Sequence, residues 1–235
     1  MIFKDKNLIC KTSTRPQNMS LSYGATRDTL SNRKSFLADC GIDYRSLVCA
    51  QQLHSDNVRY ATETDCGRGA LTYESAIADT DALITNKKNI PLAVFTADCL
   101  SLFLYDPKTS SIGLVHAGWR GSLKGVTAKA IVKMKERFRC KPSDLYIGLG
   151  PCIRSCCYQV GGEFAGLFPD DLFLRKRRYY LDLVSINRKQ LLGLGVKEAN
   201  ISDYRICTSC SNKKYFSFRK EGNSAGRMIS VIMLK

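Results

Sequence analysis

The chain has 235 residues, 44% of them apolar and 24% charged, with a net charge of +15. This is an ordinary globular balance, and no stretch approaches the ~18 apolar residues of a membrane span. Eleven cysteines are odd in number and too few for a disulfide scaffold, and two histidines exclude a centre built from many imidazoles.

The start, MIFKDKNLIC, never reaches the roughly 7–15-residue apolar run of a secretory leader. The expected setting is therefore cytoplasmic, with cysteines held as thiols or metal ligands. The polar N-terminal third suggests a helix over 33–40, a strand over 47–51 and a mobile loop over 62–73. Asp81 to Thr85 opens a series of strands. PLAVFTAD (91–98), LSLFLY (100–105) and SIGLVH (111–116) show little polar alternation, as strands covered on both faces do. After Gly121 the period changes. Val126, Ala130, Ile131, Met134 and Phe138 recur at helical spacing.

Residues 145–149 are again strand-like, 161–168 and 185–192 helical, and 201–207, 215–218 and 227–234 strand-like. No repeat and no linker divides the chain. The expectation is one α+β domain over residues 1–235, with a mixed β-sheet flanked by helices. The densest basic cluster, Arg175-Lys176-Arg177-Arg178, lacks the basic–aromatic interleaving of a single-strand groove, so no specific nucleic-acid partner is expected.

Three residues stand out for chemistry. His54 follows a strand, Cys99 ends one apolar strand, and His116 ends the next, before Ala117-Gly118-Trp119-Arg120-Gly121. Two imidazoles and a thiolate make a three-ligand zinc site whose fourth tetrahedral position is left to water. A metal-free alternative uses Cys99 as nucleophile and His116 as its base, and leaves His54 without a role. Each lone histidine also has a plain structural reading, with one satisfied hydrogen bond.

The strings QLHSDNV, DALIT, FTADCLSLFLYD, VHAGWRG, GPCIRSCCYQVGGE, ICT, YFSFRK and AGRM occur in this order. They resemble the laccase-domain family, also called multicopper polyphenol oxidoreductase or FAMIN-like purine nucleoside phosphorylase, from about Gly24 to the C-terminus. The resemblance implies a zinc ion held by His54, Cys99 and His116. It implies phosphorolysis of adenosine, inosine and S-methyl-5′-thioadenosine, and deamination of adenosine. It also implies a fold similar to a bacterial toxin cysteine deamidase, which supports the cysteine hydrolase or amidase alternative, directed at cell-wall precursors. The older label implies a copper-dependent polyphenol oxidase. A four-copper centre needs about ten imidazoles, although a single site also accepts Cu2+. A non-catalytic nucleotide-binding protein is the remaining class.

On the deaminase reading, a carboxylic acid must carry protons to the leaving ammonia, and Asp98 is the candidate beside Cys99. Its structural alternative is a carboxylate that accepts backbone N–H groups. Phosphorolysis needs phosphate held near C1′, for which Arg120, Arg219 and Arg227 are the candidate forks. A helix is expected to begin at Gly121. Trp119 is a candidate purine platform, with packing as its alternative.

The sequence departs from the family at Lys220, where an arginine is usual, and at Ala225, where a threonine is usual. These changes put an oxyanion contact and a hydroxyl contact in doubt. The Cys207-Thr-Ser-Cys210 pair has the spacing of a redox motif or half a zinc site. No βαβ context precedes it and no second CxxC is present, so Cys152, Cys156, Cys157, Cys207 and Cys210 fit packing better than a second metal or redox site. Purine nucleosides and phosphate are the expected partners, and the chain is expected as a monomer or homodimer with no membrane attachment.

Overall fold

The computed structural model describes Phe3 and residues 5–235. The chain begins with β1 (Leu8–Thr12), α1 (Thr29–Ala38), β2 (Val48–Cys49), β3 (Val58–Tyr60) and β4 (Ala82–Thr85). The central run is β5 (Leu92–Thr96), β6 (Leu100–Asp106), β7 (Ser111–Ala117), α2 (Trp119–Leu123), α3 (Val126–Phe138) and β8 (Tyr146–Leu149). There follow β9 (Gln159–Val160), α4 (Phe164–Leu167), β10 (Leu172–Arg175), β11 (Arg178–Leu181) and α5 (Leu183–Gly193). The last elements are β12 (Ile201–Asp203), α6 (Phe218–Glu221) and β13 (Met228–Leu234).

Two mixed sheets pack face to face. One has the order β12-β8-β6-β7-β4-β3 and the other β1-β13-β5-β2. Every residue of β6, β7 and β13 is buried, which accounts for their unbroken apolar runs. Along β6 the side chains divide by parity. Phe103 and Tyr105 join Leu92, Val94 and Ile232 between the sheets, while Leu100, Leu102 and Leu104 meet Ala130, Ile131 and Met134 of α3 on the outer face. Leu37 of α1 covers the far face of the smaller sheet with Ile229 and Val231. The expected α+β class is present, with two packed sheets and a small third of order β10-β11-β9 where one sheet was expected.

Several local expectations are corrected. Residues 62–73 are pinned rather than loose: Thr62 and Asp65 form a capping box, and the Arg33 guanidinium donates to Gly69 O at 2.9 Å and Ala70 O at 2.7 Å. Residues 215–218 form no strand. Ser217 instead donates its N–H to Glu221 Oε1 at 2.9 Å and leads into α6. The helix expected over 161–168 shrinks to α4. The strand expected over 201–207 ends at Asp203, whose Oδ1 accepts the Arg205 N–H at 2.8 Å in a turn with Arg205 at φ 55°.

The basic cluster is the tip of the β10–β11 hairpin, with left-handed Lys176 and Arg177. A two-residue hairpin turn of this kind usually announces itself by Asn or Gly, and neither is present here. Among the described residues no helix is long and apolar enough to cross a membrane.

Candidate metal centre and its cavity

The chain changes sheets between β5 and β6, and the Ala97-Asp98-Cys99 turn makes that change. Asp98 sits at φ 89°. Its carboxylate holds the corner together. Oδ1 accepts the Thr208 hydroxyl at 2.6 Å, and Oδ2 accepts the Ser217 hydroxyl at 3.1 Å and the Arg219 N–H at 2.7 Å. Its carbonyl accepts the Ile153 N–H at 2.8 Å. Asp98 therefore ties the segments around 153, 208 and 217–219 to the turn that presents Cys99, the arrangement of its structural alternative.

His116 lies near the end of β7, opposite Ser101 of β6. His54 lies on the loop after β2, in the left-handed region at φ 58°. One buried carboxylate places both imidazoles. Asp81 stands immediately before β4. Its Oδ1 lies 2.6 Å from His116 Nδ1, and its oxygens accept the N–H groups of Leu53, His54 and Ser55 and the Ser55 hydroxyl. Sequence reasoning assigned Asp81 no role. The available signal was an aspartate heading the apolar run Ala82-Leu83-Ile84, a residue type almost never buried unless paired.

The ligand atoms of His54, Cys99 and His116 all lie within 4.8 Å of one another. His54 Nε2 is 3.7 Å from Cys99 Sγ, and the two rings meet edge to face with centroids 4.9 Å apart. Gly118, the residue before α2, leaves the space they occupy. A Cβ there would lie 2.5 Å from His54 Cδ2 and 3.0 Å from Cys99 Sγ. Burial pushes the Cys99 thiol up, but the charge and hydrogen bonds of His116, helped by His54, outweigh it and favour the thiolate. Burial likewise opposes charge on His116, while Cys99 and Asp81 together drive its pKa upward. With Asp81 accepting from Nδ1–H, Nε2 is left to face the thiolate. Two imidazoles, a favoured thiolate and a carboxylate behind one imidazole fit a soft divalent cation.

The cluster lines a cavity of about 680 Å3, within the usual size of a small-molecule site. Asp98, Trp119, Arg120, Arg219 and Arg227 line it too. Trp119 and Arg120 occupy the first turn of α2, two residues earlier than the expected helix start. Trp119 packs on Phe164 with centroids 4.9 Å apart, and the Arg120 guanidinium lies 4.2 Å above the Trp119 ring. No carboxylate among the described residues pairs with Arg120.

The Arg219 guanidinium lies over Tyr158 at 5.3 Å, and that of Arg227 over Tyr23 at 4.3 Å. Lys220 is exposed on α6 and is not part of the cavity wall. Ala225 is fully buried, and its carbonyl accepts from the Arg227 guanidinium.

Sequence reasoning also missed Arg33, which is fully buried beside the cavity. It is held by the carbonyls of Met19, Gly69 and Ala70 and lies 4.7 Å from the Phe95 ring centroid. Tyr23, Phe95, Tyr158 and Phe218 add aromatic wall.

Fold and site together define a small α+β protein with a His-Cys-His cluster, able to hold a metal ion, at an aromatic, arginine-bearing cavity. The chain belongs to the multi-copper polyphenol oxidoreductase laccase family, whose profile matches residues 9–235. It is 36% identical over 217 residues to "Purine nucleoside phosphorylase YlmD" of Bacillus subtilis, covering 88% of this chain and 78% of that protein. It is 31% identical over 215 residues to "Adenosine deaminase RL5" of an unknown prokaryotic organism, covering 88% of this chain and 82% of that protein. Among solved structures it resembles YlmD from Geobacillus stearothermophilus, with a TM-score of 0.92 at 29% identity, covering 98% of this chain and 93% of that one.

Proposed function

We propose that this chain is a zinc-dependent purine nucleoside phosphorylase that also cleaves S-methyl-5′-thioadenosine and deaminates adenosine. The observation that carries the reading is the convergence of His54, Cys99 and His116 on a cavity that also gathers three arginines and several aromatic rings. Relatives named for phosphorolysis and for adenosine deamination support the same substrate class. Both histidines of the chain belong to this one cluster, so the imidazoles of a multicopper centre are lacking.

His54, Cys99 and His116 are the metal ligands. Zinc bound there would supply a Lewis acid and a water of lowered pKa. Asp81 keeps the proton on His116 Nδ1 and fixes that ring's direction. Arg120, Arg219 and Arg227 bind phosphate and hold it toward C1′. In phosphorolysis the C1′–N9 bond breaks, a C1′–O bond to phosphate forms, and the purine leaves with a proton from solvent or a donor.

Each guanidinium already lies over an aromatic ring, which limits the side-chain freedom lost on binding. Trp119, Tyr158 and Phe218 offer apolar faces to the base. In deamination water adds at C6 and ammonia leaves with a proton, for which Asp98 is the candidate carrier, although its present bonds are those of a structural carboxylate. Its carboxylate would exchange one of its three present bonds for that proton. Product analysis with adenosine, inosine and methylthioadenosine tests the reading. Ribose 1-phosphate should form from inosine only with phosphate present, and formation of free ribose alone would refute phosphorolysis.

One observation favours a second reading. Asp81, His116 and Cys99 are aligned as an acid, a base and a nucleophile, the order used by metal-free cysteine hydrolases and amidases. That reading gives His54 no chemical task. Tag-free protein with no metal but full amidase activity would establish it.

A further inference from the structure

The GPCIRSCCY and ICTSC segments meet on the far side of Asp98. Cys207 bridges to Cys152 in parallel, and the Thr208 N–H donates to Cys152 O at 3.0 Å. Cys152 is wholly buried as packing, but the neighbouring cysteines do something else. The sulfurs of Cys156, Cys157, Cys207 and Cys210 all lie within 4.8 Å of one another. Cys156 Sγ is 3.8 Å from Cys157 Sγ and 3.6 Å from Cys210 Sγ, and Cys157 and Cys210 are 3.3 Å apart. None of the four is in a disulfide.

A zinc–sulfur bond of about 2.3 Å sets the edge of a tetrahedron at about 3.8 Å. The Cys156–Cys157 and Cys156–Cys210 separations match that edge, Cys157–Cys210 is shorter, and Cys207 lies within 4.8 Å of the other three.

We propose that Cys156, Cys157, Cys207 and Cys210 form a second, structural zinc site of four thiolates, separate from the His54–Cys99–His116 cluster. Four thiolates this close repel one another, and a dication is what lets them ionise together. Four protein ligands complete a tetrahedron and leave no open position, so the site is structural. Its place in the fold gives it a task. The residues beside it are Ile153, whose N–H bonds Asp98 O, and Thr208, whose hydroxyl bonds Asp98 Oδ1. Cys157 O accepts the Arg219 guanidinium at 3.3 Å. A bound ion would therefore clamp the wall that carries Arg219 and Tyr158 to the corner that presents Cys99.

Metal analysis of tag-free protein purified under reducing conditions tests this independently of the activity. Wild type should carry about two zinc equivalents per chain. The pair Cys156→Ser and Cys210→Ser, both at exposed positions, should lose one and keep the other. His54→Ala should show the reverse loss. X-ray absorption on His54→Ala, whose four cysteines are intact, should report zinc with four sulfur neighbours even if the serine variants fail to fold. Zinc without a four-sulfur shell in His54→Ala, iron in that position, or these cysteines recovered as disulfides would overturn the proposal.

Discussion

Asp81 Oδ1 sits 2.6 Å from His116 Nδ1, and the same carboxylate accepts the backbone N–H of His54. One buried aspartate thus sets the direction of one imidazole and the backbone position of the other. Asp81→Asn loses the charge behind His116 and turns an NH2 toward donors that one carboxylate oxygen now satisfies, so it is compared with wild type at matched circular dichroism. The expected loss is roughly 10- to 100-fold in metal affinity or turnover. Competition with a chromophoric chelator checks it, and unchanged affinity would deny Asp81 this role.

Gly118→Ala should damage the metal cluster more than the fold. The added Cβ would lie 2.5 Å from His54 Cδ2 and 3.0 Å from Cys99 Sγ, too close for either side chain to stay. His54 is on a loop and gives way first. Metal content should fall with the circular dichroism unchanged, and full metal occupancy in this variant would show that the cradle is not needed.

Arg33→Met should unfold the protein more easily. The substitution leaves the buried carbonyls of Met19, Gly69 and Ala70 without their donor. A cost of about 3 kcal/mol is expected for such orphaned groups. Urea unfolding measures it, and a cost below about 1 kcal/mol would mean that water replaces the guanidinium.

Acid should weaken the fold through Asp203. Burial raises its pKa, but the two hydrogen bonds from Arg154 and the Arg205 N–H outweigh it and hold the carboxyl below its ordinary value. A depressed folded-state pKa contributes stability that is present above the unfolded value of about 3.9. That stability is lost as pH falls through the folded value. Asp203→Asn should therefore be the less stable protein at about pH 6 and should approach wild type at about pH 3. Urea midpoints at the two pH values decide it, and a constant gap would contradict the linkage.

The long buried strands were legible because each is a continuous apolar run, and α3 because its apolar positions recur at helical spacing. The pairing of two sheets was not, since periodicity does not say which strands share hydrogen bonds. The β10–β11 hairpin lacked a Gly or Asn turn signal, and α6 is started in part by Asp98, distant in sequence. His54, Cys99 and His116 could be singled out as chemical types, and the structure brings them together. Asp81 and Arg33 escaped notice because their importance lies in burial, which no spacing reveals.

The most direct test of the central claim is the ribose 1-phosphate formed from inosine and phosphate by His54→Ala, relative to wild type with matched circular dichroism. The account predicts that turnover disappears with one metal equivalent, because this imidazole serves only as a ligand. Wild-type turnover by His54→Ala would contradict it.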